Sequence, residues 1–186
     1  MLEKHKYLSE QEQARLLDYW KGRKGKRNEK TFMFISFALN SGLRASEISN
    51  VRVEDLDLSS EFPSIRVRTL KQKVPTIDTV YISQKISKQL NRYIRKMKPD
   101  EYLFQTERGT QENNVTLYLK WTHALKKAGL KHYKLHSSRH TFATNLWRQS
   151  KDLMIVKNQL RHKSINSTMI YSHVGVEQIS KVVNAI

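Results

Sequence analysis

Two C-terminal stretches, HSSRH (His136 to His140) and LRHKSINSTMIYSHV (Leu160 to Val174), join an upstream SGLRASEIS that supplies Arg44. Together they offer two arginines (Arg44, Arg139), two histidines (His136, His162) and a tyrosine, Tyr171. Such a set can break a phosphodiester without a metal. The planar guanidinium fork meets phosphate oxygens bidentately and keeps its charge. His162 can add a third donor to the same oxygens. Each preorganised donor of this kind is worth on the order of 100- to 1,000-fold in rate. The tyrosine hydroxyl would attack phosphorus, and the covalent phosphotyrosine would conserve the bond energy for rejoining. A tyrosine ionises near pH 10 or so, so it needs a base and cationic neighbours; His136 is the expected helper. The leaving 5′ oxygen needs an acid. A lysine on a tight hairpin could reach into a DNA groove and supply it, and both Lys71 and Lys73 lie where a predicted strand ends. Taken singly, each of these residues is more often structural than catalytic; their combination in order is what points to chemistry.

The composition narrows the partner. The chain has 186 residues, enough for one domain with a sizeable core. A net charge of +17 repels itself unless a polyanion shares it, which favours nucleic acid. An anionic membrane surface is the weaker alternative, because no stretch opposes a lysine-rich face to Trp, Phe and Leu. The absence of cysteine excludes disulfides, thiol catalysis and thiolate zinc sites. The longest apolar run, Phe32 to Leu39, is too short to span a bilayer. These features predict a cytoplasmic, DNA-associated protein.

The elements that must position the site follow from caps and periodicity. Ser9 and Glu12 form a capping box opening a helix over 10–20. A basic loop, Lys21 to Lys30, leads to a helix from about Asn28 that is apolar nearly all round and ends at Gly42. A short helix over 45–50 leaves Arg44 at a junction. Residues 64–70 and 79–83 alternate in polarity and predict a small antiparallel hairpin or three-stranded sheet. Ser83 caps a helix over 84–98, stopped by Pro99. A turn at 107–110 precedes a helix from Asn113 or Asn114 to Lys127. Three further helices are predicted: 136–149, one capped by Asp152, and one capped by Ser164 that carries Tyr171. An apolar stripe of Val176, Ile179, Val182, Val183 and Ile186 ends the chain. The class is α+β, mostly α-helical with a small antiparallel β-sheet, in one domain.

At these residues the sequence resembles the tyrosine recombinase (phage integrase) family. SGLRASEIS is similar to its first arginine box, with Arg44 at the catalytic arginine and Glu47 at the acidic residue, which is expected to orient its neighbours rather than donate a proton. LHSSRHTFATNL is similar to the His-x-x-Arg box, placing His136 and Arg139. LRHKSINSTMIYSHV is similar to the last box, with His162 nine positions before the nucleophile Tyr171. Lys71 fits the hairpin lysine best, with Lys73 the alternative. The resemblance implies a 3′-phosphotyrosyl intermediate, a free 5′-hydroxyl, duplex DNA as substrate and no metal or nucleotide cofactor. It also implies a homo-oligomer on DNA, normally a tetramer joined through a C-terminal helix at 176–186, with accessory DNA-bending proteins as further candidate partners. Relatives usually carry an N-terminal core-binding domain; the expectation here is a single catalytic domain over 1–186. Two positions depart from the pattern. Arg161 stands before the second histidine where glycine is usual, and Ser138 stands before Arg139 where an apolar residue is usual. A type IB topoisomerase-like nicking and resealing activity, or a non-catalytic DNA-binding protein on the same scaffold, are the competing readings.

Overall fold

The computed structural model describes residues 6–69, 76–130 and 133–171. Helix α1 (Glu10–Trp20) opens as its caps require: Ser9 Oγ accepts from the Glu12 N–H, and the Glu12 carboxylate accepts from the Ser9 N–H. Helix α2 (Lys26–Ser41) begins two residues earlier than its periodicity predicts, because Gly25 at φ 107 turns the chain directly into it. It is the central helix. Phe34 and Phe37 meet Phe104 edge-on, and Phe34 also meets Trp121 of α5 (Asn114–Lys127). Burial on nearly every side accounts for its all-round apolar sequence.

Gly42, at φ 66, ends α2, and α3 (Ala45–Asn50) follows at once. The sheet has the order β1–β2–β3: β1 (Leu56–Asp57), β2 (Ser64–Thr69) and β3 (Thr76–Tyr81), all antiparallel, with Arg66 opposite Thr79 and Val67 opposite Asp78. It is thus three-stranded rather than a lone hairpin. Ile65, Val67 and Val80 turn inward onto the core.

Ser83 caps α4 (Gln84–Tyr93), which stops well short of Pro99. Its core-facing stripe, buried Ile86 and Leu90 with partly buried Tyr93 and Ile94, ends there, and the basic residues beyond have no apolar face to hold them helical. Asn113 caps α5 through the Thr116 N–H. Helices α6 (His136–Ser150), α7 (Leu153–Leu160, capped by Asp152) and α8 (Asn166–Met169) build a second, smaller cluster of Ala143, Val156, Leu160 and Tyr171, flanked by Phe142, Leu146 and Trp147. The helix predicted from Ser164 through Tyr171 is shorter than expected, and Tyr171 lies in the turn after it. Among the described residues no helix is long and apolar enough to cross a membrane.

Candidate active site

Three elements bring the arginines together. Arg44 is the N-cap of α3, and Glu47 sits one turn on. The Glu47 carboxylate accepts from the Arg44 backbone N–H at 2.7 Å and pairs with its guanidinium at 2.8 Å. A carboxylate at this position satisfies an orphan N–H of the helix start and also fixes the arginine beside it. Arg139, on the first turns of α6, is only 2% exposed. It donates to the Gly42 carbonyl at 2.5 Å, 97 positions away in sequence, and to the Leu160 carbonyl at 2.6 Å. Its guanidinium lies 3.9 Å from the Glu47 carboxylate. Burial, then the nearby Arg44, pulls its pKa to about 10, so it remains charged at neutral pH. Gly42 is required for more than its positive φ: a Cβ there would come within 2.5 Å of the Phe142 ring.

The end of α7 sets the next two groups. Arg161 is its C-cap in the left-handed conformation, and its N–H together with that of His162 bonds back to Asn158 and Lys157. Arg161 pairs with Glu47 at 2.6 Å. Glu47 is therefore shared by Arg44 and Arg161 and approached by Arg139. Although burial opposes it, Arg161 foremost holds the Glu47 pKa below the usual carboxylate value. His162 Nδ1 lies 2.9 Å from the buried Thr168 hydroxyl. When Thr168 donates, Nε2 carries the proton and becomes the ring's donor. Burial, reinforced by Arg139, Arg44 and Arg161, lowers the His162 pKa to about 4, so its ring is neutral near pH 7.

Tyr171 is 5% exposed, and its hydroxyl lies 2.8 Å from Nδ1 of His140. His140 in turn packs edge-on against His136, with ring centroids 4.7 Å apart. The ring that meets the tyrosine hydroxyl is thus His140, and the expected helper His136 stands behind it. Burial raises the Tyr171 pKa to about 12, against a lowering pull from Arg139. Burial and then His136 drive the His140 pKa to about 4, and His136 is also lowered, chiefly by burial.

Of the sequence-predicted residues, Arg44, Glu47 and Arg139 form one connected group. His162 follows directly after Arg161, and the coulombic pull of Arg139 reaches both His162 and Tyr171. Lys71, Lys73 and the 176–186 stripe lie outside the described residues. One residue and one pairing escaped the sequence reading. His140 was legible as the i+4 neighbour of His136 on one helical face. The Arg161 pairing with Glu47 spans 114 positions and had no local signal. Ser138, in its unusual place, is buried with its hydroxyl donating to the Leu135 carbonyl at 2.8 Å, so it packs without an orphaned polar group.

Beside this geometry, comparison with known proteins is direct. The model of the Phage integrase family matches residues 6–178. A tyrosine recombinase of Pseudothermotoga lettingae is 30% identical over 162 residues, 85% of this chain and 54% of that protein. Tyrosine recombinase XerA of Saccharolobus solfataricus is 32% identical over 147 residues, 79% of this chain and 47% of that protein. The crystal structure of XerA recombinase superposes with a TM-score of 0.76 at 27% identity, covering 96% of this chain and 64% of that one. XerH site-specific recombinase bound to its difH substrate shares the fold, with a TM-score of 0.78 at 23% identity over 96% of this chain and 53% of that one. The chain spans about half the length of the curated relatives it matches.

Proposed function

The chain belongs to the phage integrase family, and we propose that it is a site-specific DNA recombinase acting through Tyr171. The observation that carries this reading is the convergence of Arg44 and Arg139 on Glu47, with Arg139 buried and fixed by two backbone carbonyls. A buried, preoriented guanidinium beside an exposed one suits a phosphate whose oxygens gain charge in the transition state. Arg44, Arg139 and the Nε2 of His162 hold the nonbridging oxygens. The Tyr171 oxygen attacks phosphorus as its proton passes to a base, for which His140 stands in contact and His136 one ring behind. The bond to the 5′ oxygen breaks, and that oxygen takes a proton from the hairpin lysine, Lys71 before Lys73. The products are a 3′-phosphotyrosyl link and a 5′-hydroxyl, and attack by another strand's 5′-hydroxyl reverses the step. Residues 1–186 act as one catalytic domain, with the family match over 6–178 within it.

The +17 charge supports duplex DNA as the partner, with binding that weakens steeply as salt rises. A groove of about 750 Å³ lies between β3, α6 and α7, with Leu39, Tyr81, Ile82, Phe142, Leu146 and Ile155 in its lining. It suits the apolar stripe at 176–186 of a second copy, which would join protomers on DNA. The test of function is a duplex pool from sequences flanking the gene, nicked near the cleavage position so that the cut strand's short end diffuses away. Wild type should leave a covalent adduct on a denaturing gel in EDTA, and Tyr171→Phe should leave none while binding the DNA equally well. An adduct from both variants would remove Tyr171 as nucleophile.

A further inference from the structure

Arg161 occupies a position that its backbone disfavours. At φ 55 and ψ 46 it lies in the left-handed region, where glycine sits freely and a Cβ adds strain. Its side chain, however, is only 10% exposed. One guanidinium nitrogen lies 2.6 Å from the Glu47 carboxylate, and Nε lies 3.7 Å from the Asp78 carboxylate on β3. A surface helix cap has no use for such a burial. Here it joins three elements: the first turn of α3, which carries Arg44; the strand β3, which leads back to residues 70–75; and the end of α7, where His162 follows.

We propose that Arg161 is a positioning residue for the phosphate site. It fixes Glu47, and through Glu47 the guanidinium of Arg44, while bracing strand β3. It touches no reacting atom. Two carboxylates already claim its guanidinium, whereas Arg44 is 45% exposed in its side chain and open to a phosphate. This inference rests on the reading of the site as one for phosphodiester transfer.

The test uses the full chain and the nicked duplex. Arg161→Gly relieves the backbone and deletes the clamp, so the melting temperature should hold or rise while adduct formation slows. A misplaced cation commonly costs up to about 100-fold, and a loss of about 10- to 100-fold is expected. DNA affinity and its salt slope should stay as in wild type. A slope shallower by about one would make Arg161 a direct phosphate ligand and overturn the positioning role. In a Glu47→Gln background, Arg161→Gly should add no further loss, because the effect runs through Glu47. Multiplying losses would overturn that route. If the glycine variant melts below wild type, Arg161→Gln carries the same cycle, since it keeps a Cβ and a polar, though shorter, side chain but not the charge. An adduct from wild type with an equal rate from the Arg161 variants overturns this inference alone. No adduct from wild type overturns the transfer reading and this inference with it.

Discussion

Arg139→Met should separate what this residue does for the chemistry from what it does for the fold. Its guanidinium is buried and its pKa falls from 12.5 to about 10, burial being the main cause. At about 1.4 kcal/mol per pH unit, that is a penalty of about 3 kcal/mol against the charged form. Methionine removes the buried charge and fills much of the same space. It also leaves the Gly42 and Leu160 carbonyls without their partner, at about 1 to 3 kcal/mol each. The gain of about 3 kcal/mol offsets much of a loss of about 2 to 6, leaving a net change from about 1 kcal/mol of stabilisation to about 3 of destabilisation. For a chain of this size, roughly 2 to 4 °C per kcal/mol keeps the loss in Tm below about 12 °C. Adduct formation at saturating DNA should fall at least about 100-fold, because the donor aimed at the developing charge is gone. Calorimetry and the nicked-duplex assay read the two sides independently. A much larger loss of Tm would make Arg139 a structural clamp first. Cleavage within about tenfold of wild type would take it out of the site.

Two further outcomes follow from the geometry. Gly42→Ala combines a left-handed φ with a Cβ driven into the Phe142 ring, at about 1 to 2 kcal/mol for the backbone and about 1 to 3 for the overpacking. Thermal melts should show the loss, and adduct formation should slow because the carbonyl that holds Arg139 moves; an alanine variant with wild-type Tm and rate would refute the account. His140 and His162, held at about 4 chiefly by burial, resist protonation in the folded chain, whereas the unfolded chain protonates them near 6.5. Stability should therefore be complete above about pH 6.5 and fall as pH drops toward 4, with close to two protons taken up on unfolding near pH 5. Urea midpoints across that range should show the slope, with His140→Phe reducing it, and a flat profile would contradict the burial of these rings.

Much of this was legible because the site residues sit at element boundaries with local signals. Ser9, Ser83, Asn113 and Asp152 cap their helices as their side-chain oxygens predict, and Gly42 ends α2 where its φ demands. Arg44 at a junction and Arg139 on a helix's first turns were readable for the same reason. What escaped depends on contacts between distant segments. The end of α4 is set by where its core face runs out, not by Pro99. The two-residue strand β1 exists only because Leu56 and Asp57 pair with Ile65 and Ser64. The choice of His140 as the neighbour of Tyr171 depends on how α6 meets the turn after α8, which neither segment encodes alone.

The site is divided between two packing units, and that division bears on reactivity. Arg44 and Glu47 stand on α3, set by the large core around α2, while Tyr171 belongs to the small cluster of α6, α7 and α8. Arg139 joins the two, with one carbonyl partner at Gly42 and the other at Leu160. At a pKa of about 12, only on the order of one hydroxyl in 100,000 is ionised at pH 7, about a hundredfold fewer than for a free tyrosine. Burial thus keeps the Tyr171 hydroxyl protonated near pH 7. Among the site's cations, Arg139 pulls the other way. Ionisation of that hydroxyl is therefore set by how packing against Ala143, Val156 and Leu160 places Tyr171 relative to Arg139, and not by the main core.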